Sequence, residues 1–169
     1  MAAVFPAAVT AAPFLLEIAE QPDAFPLARY SALGLLDEFL TSDPFAGFNR
    51  VDGTPLCCAV ADLIRTRRPF LESLGKPGRR LLQEADEHWR FEVTEALRDA
   101  DQLLVFGTLA GRFPGTVVRG EVQQSGVLCT ATVEYQPTGV HGDACVRVDH
   151  LPLSAGSVLR SAECGEREH

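Results

Sequence analysis

His88 and Glu92 are the residues in this sequence whose types and spacing most suggest chemistry. Four positions apart, an imidazole and a carboxylate are neighbours on a helix surface. Half-shielded against a sheet, such a pair has pKa values drawn toward neutrality and can carry acid–base work. The bland alternative is a solvent-screened ion pair at the rim of a buried face. His150 is the second candidate. Counting by twos from Ala144 through Val146 and Val148 places it on the inward face of a strand, facing a cavity or satisfied within a core.

Other clusters carry less. His141 and Asp143 share a glycine-containing loop, but two ligands are too few for a metal without partners elsewhere. Cys57 and Cys58 fall in the first turn of a helix, where the dipole lowers a thiol's pKa. No histidine is local in sequence to activate them, and Leu56–Val60 reads more readily as packing. Neither a metal site nor a cofactor is expected. Arg65, Arg67, Arg68, Lys76, Arg79 and Arg80 crowd into sixteen positions of an otherwise acidic chain. They either dock something anionic, such as a coenzyme A moiety or an acidic carrier protein, or form a helix C-terminus and a solvated turn. Gly75-Lys76-Pro77-Gly78 lacks the phosphate-loop spacing, and the serine-elbow, zinc-protease and dinucleotide signatures are missing as well.

The elements that must hold these residues follow from periodicity. Pro13–Ala19 predicts a first helix, preceded by a flexible arm over 1–12. Pro26 opens a second, running to about Leu40, whose apolar residues surround most of its circumference and predict deep burial. Thr54 and Pro55 start a third, over about 55–67. The strongest helical pattern spans about Arg79 to Arg98, where Leu81, Leu82, Ala85, Trp89, Val93, Ala96 and Leu97 share one arc. Beyond Asp101 the period drops to two. Strands are predicted over Leu103–Ala110, Thr116–Gln123, Val127–Tyr135 and Ala144–Leu151, and Ser161–His169 reads as a frayed tail.

These elements predict a single α+β domain over 1–160. About four N-terminal helices would pack on a C-terminal four-stranded antiparallel meander, a layout resembling nuclear-transport-factor-like (NTF2-like) or hot-dog folds. Five cysteines, an odd number with no Cys-x-x-Cys, predict reduced thiols and a cytoplasmic protein. The net charge of −8 argues against nucleic acid, and no apolar run is long enough for a membrane helix.

Two functions fit. The first is a metal-independent lyase, isomerase, cyclase or thioester-processing enzyme acting on a hydrophobic metabolite. Phe39, Trp89, Phe106 and Tyr135 would wall its pocket, and His88, Glu92 or His150 would move protons. The second is a non-catalytic interaction module using the basic patch or the phenylalanine-rich loop Pro44–Phe48; a homodimer is compatible with either function.

Overall fold

The computed structural model describes residues 4–99, 102–124, 126–136, 143–149, 151 and 153–167. The chain divides into two compact units, Met1–Asp86 with Glu166–His169, and Glu87–Gly165.

The first unit is helical. Alanine-rich sequence, the best helix former, carries α1 over Ala7–Glu20, so the helix takes in part of the segment read as an arm. Ala8, Ala12, Leu16 and Ala19 recur every three or four residues and form its buried stripe. Pro26 opens α2 (Pro26–Thr41), which buries Ala32, Leu33, Leu36 and Leu40. The expectation of burial all round is wrong: Leu27 is 76% and Tyr30 64% exposed. Asp52 and Gly53, both at positive φ (49° and 78°), form the tight turn of a small hairpin, β1 (Arg50–Val51) and β2 (Thr54–Pro55). Three helices follow: α3 (Leu56–Arg65), α4 (Arg68–Ser73) and α5 (Lys76–Glu87). Leu36, Leu40, Val60, Ile64, Leu71, Leu81 and Leu82 meet in one core, so these helices bury their apolar faces against one another.

Arg167 closes the helical unit from the far end of the chain. Its guanidinium donates to the Leu40 carbonyl (3.1 Å), the Thr41 carbonyl (2.6 Å) and Asp43 Oδ1 (3.0 Å), satisfying the orphan carbonyls at the end of α2. Arg167→Ala is expected to lower the stability of this unit by about 1 kcal/mol, since the contacts are partly solvent-screened. A thermal melt followed by helical circular dichroism checks it; an unchanged midpoint would contradict the capping role.

The second unit corrects the predicted sheet. It is a closed barrel of six strands: β3 (Arg90–Asp99), β4 (Gln102–Ala110), β5 (Val117–Gln124), β6 (Val127–Gln136), β7 (Asp143–Asp149) and β8 (Val158–Ser161). Their order around the barrel is β3-β4-β7-β6-β5-β8, every pairing is antiparallel, and β8 returns to β3. The four expected strands are all there, but they do not form a meander, because β4 pairs with β7 and not with β5. A short helix, α6 (Ala162–Glu166), follows where a frayed tail was expected.

Two elements close the barrel that periodicity did not show. The segment 90–98, expected to be helical, is strand β3, with a bulge between Val93 and Glu95. Strand β8 is only four residues long and bonds to both β3 and β5. Alternate residues supply the core: Phe91, Val93, Val105, Val122, Val133, Val146, Val148 and Leu159, with Trp89 beside them. A barrel this narrow is filled by its own side chains, which is why these residues are buried against each other.

Candidate functional site

The helical unit carries an unusual amount of exposed apolar surface. Phe5, Phe45 and Phe48 touch in a cluster, with ring centroids 5.5 to 6.2 Å apart, yet they are 45%, 46% and 51% exposed. The backbone holds them there. Val4 N–H donates to the Asp43 carbonyl (3.2 Å), Phe45 N–H to the Val4 carbonyl (3.0 Å), and Phe48 N–H to the Phe45 carbonyl (2.9 Å). Gly47 takes the positive φ (80°) that this turn requires.

Phe5 also lines an open groove of about 350 Å³ between α1 and α2. Ala7, Ala8 and Ala11 form one wall and Leu35, Glu38 and Phe39 the other. Ala7, Ala11, Phe14 and Ile18 recur at helical spacing on one face of α1, and Phe14 and Ile18 are exposed. Small alanines leave a shallow trough, and the one charge among its described lining residues is Glu38. Such a surface can hold the apolar stripe of a helix. The Phe loop was visible in the sequence. The α1 wall was not, because alanine-rich residues ahead of Pro13 read as an arm.

The proposed acid–base residues do not form a dyad on a helix. Helix α5 ends at Glu87, so Glu92 falls on β3, where it is exposed and pairs with Arg90 at 2.9 Å. His88 is buried, with Nδ1 3.3 Å from Cys164 Sγ in α6. His150 and His141 lie outside the described residues. Of the expected pocket wall, Trp89 packs tilted against Phe113 at 4.8 Å and Tyr135 stacks on Phe113 at 5.4 Å, in the barrel core. Phe106 alternates with buried Val105 and so projects from the other face of β4. Phe39 packs on the core of the helical unit.

The basic residues are largely spoken for. Arg65 pairs with Asp62 (2.7 Å) and donates to the Ala85 carbonyl, while Arg67 meets Glu20 (3.1 Å). Arg68 meets Asp86 (2.6 Å), and Arg80 meets Asp37 (3.4 Å). Lys76 and Arg79 stand exposed. With four of the six basic side chains answered by carboxylates, the cluster works as a set of clamps between helices and has little field left for an anion. None of the five cysteines is in a disulfide, and burial raises the Cys145 thiol above its usual range. No helix among the described residues is long and apolar enough to cross a membrane.

Compared with known proteins, the chain matches no family model and no curated protein.

Proposed function

We propose that this protein is a non-catalytic interaction module that captures an amphipathic helix of a partner in the groove between α1 and α2. The observation that carries this reading is the contact cluster of half-exposed Phe5, Phe45 and Phe48 at the end of an apolar trough. Contiguous apolar surface of this kind marks an interaction site, because exposing it to water is unfavourable unless something covers it. Charge narrows the partner. Glu38 lies in the groove lining, Glu17 is exposed on α1, and the chain carries a net charge of −8. The favoured ligand is therefore a helix with an apolar stripe flanked by lysine or arginine. Cysteines without disulfides suit a reducing compartment such as the cytoplasm.

The pocket-enzyme reading lacks the same support, since His88 is buried while Glu92 is exposed on β3, and Trp89 and Tyr135 pack in the barrel core. The test is fluorescence anisotropy with a labelled leucine/lysine amphipathic peptide and a scrambled peptide of the same composition. Saturable binding is expected for the first peptide, weakened at least about tenfold by Leu35→Glu or Phe45→Ser, the scale of losing one anchor side chain. Equal binding of the scrambled peptide, or binding indifferent to both substitutions, would overturn the reading.

A further inference from the structure

Helix α2 carries a second recess, on the side away from the groove. Leu33 and Asp37 line it, whereas Leu35 and Phe39 line the groove; two positions on is about 200° around a helix. Two shallow troughs of about 260 and 180 Å³ adjoin there, sharing Tyr30, Leu33 and Pro77. Pro26, Arg29 and Leu74 complete the first, and Gly34, Asp37, Arg80 and Leu81 the second. All of these residues belong to the helical unit.

Several of these residues are left unused by the fold. Tyr30 is 64% exposed. Gly34 occupies a helical position where glycine is about 1 kcal/mol worse than alanine, yet nothing lies within 4 Å of the Cβ it lacks. No neighbour in the chain requires that glycine; a foreign backbone lying across α2 would. Asp37 meets Arg80 through Oδ2 at 3.4 Å, and its Oδ1 accepts nothing among the described residues. Arg29 donates to the Ala19 and Gln21 carbonyls (3.0 and 2.8 Å), and no carboxylate among the described residues answers its charge.

Together these features select one kind of occupant. Two arginines against one aspartate in the lining favour an acidic ligand. The unspent acceptor on Asp37 calls for a donor, and main-chain N–H groups are available in an extended segment but consumed internally in a helix. Shallow troughs return little to a ligand that must first be ordered, so a chain already set as polyproline II is favoured, and tyrosine and proline surfaces suit it. From Arg29 to Asp37 is about 12 Å along the helix, which roughly four polyproline II residues cover. We propose that this recess binds an extended, proline-containing acidic segment of a partner protein. Its carboxylate meets Arg29, its apolar residues lie over Tyr30 and Leu33, and a main-chain N–H further along donates to Asp37. The site does not depend on the helix-binding groove.

The experiment is an array of short peptides probed with the full chain, the best binders then being measured by fluorescence anisotropy. Each peptide carries one acidic residue and two prolines among apolar residues, and each has a counterpart with lysine in place of the acid. Acidic members are expected to bind, and their lysine counterparts about tenfold more weakly. Tyr30→Ala should weaken binding about tenfold, the scale of losing an aromatic anchor. Gly34→Gln should weaken it to a similar degree by blocking the approach to α2. The same change should hold or raise the melting temperature, since glutamine is the better helix former, so a lost site is told apart from a lost fold. Leu35→Glu and Phe45→Ser should leave binding unchanged, which separates this result from the fate of the groove. An array in which no acidic peptide outbinds its lysine counterpart would overturn the proposal. So would binding unmoved by both Tyr30→Ala and Gly34→Gln.

Discussion

Trp89→Ala lowers the stability of the barrel by about 3–5 kcal/mol, the range for truncating a fully buried large aromatic. Trp89 is completely buried and packs on Phe113, which in turn packs on Tyr135, so its removal empties the head of an aromatic row. The surrounding strands are tied into a closed ring and have little freedom to collapse into the space. Trp89→Phe is expected to behave quite differently. The indole Nε1 is buried with no hydrogen-bond partner among the described residues, an unfavourable state that phenylalanine relieves. The smaller ring then leaves only a partial cavity, and the two effects offset. Urea unfolding followed by strand circular dichroism measures both variants. If phenylalanine cost as much as alanine, Nε1 would have to be satisfied in solution and the account of this side chain would fail.

Gly78→Ala carries the second large effect, and its sign is the interesting part. Glycine inside a helix is ordinarily about 1 kcal/mol worse than alanine, so the change should stabilise α5. Here a Cβ would lie 1.9 Å from the Leu71 carbonyl oxygen and 2.7 Å from its carbon, with no flexible side chain to move aside. Helices α4 and α5 must separate, and the substitution is expected to destabilise the helical unit by about 3 kcal/mol, at the upper end for overpacking. Gly34→Ala in α2 is the matched control. Nothing lies within 4 Å of its added Cβ, so a gain of up to about 1 kcal/mol is expected. Stabilisation by both substitutions would show that α4 and α5 do not approach so closely.

The contrast between what the residues disclosed and what they concealed has a physical cause in β3. Val93 and Ala96 both pack on the barrel core although they are three apart, because the bulge between Val93 and Glu95 inserts one residue and shifts the strand's parity. A strand with a bulge thus imitates helical spacing. Joined to the real stripe of Leu81, Leu82 and Ala85, it produced one long apparent helix. Phe91, Val93 and Thr94 were the contrary signal, being aromatic and β-branched in succession. Strand β4 was legible as a nearly continuous apolar run, and β5 to β7 because alternation reports which side of a strand is buried. Their order was not, since pairing β4 with β7 is a contact between residues forty or so positions apart and leaves no local trace. The groove was half legible. Phenylalanines at 45 and 48 stood out, while the exposure of Leu27, Tyr30 and Leu35 is a tertiary property that periodicity misreads as burial.

The barrel's closure through β8 bears on how this unit can come apart. Val158 to Ser161 is the shortest strand of the ring and is held on one side by β3 and on the other by β5. Detaching those four residues turns a ring with no free edges into a sheet with two, each offering unpaired amides and carbonyls across a gap one strand wide. Breathing of the native barrel therefore starts at this clasp, and amide protons of β3 and β5 that face it exchange before those between β4 and β7. The same gap accepts an identical strand from a second copy, so at high concentration reciprocal exchange of β8 is the route by which this protein would form intertwined dimers.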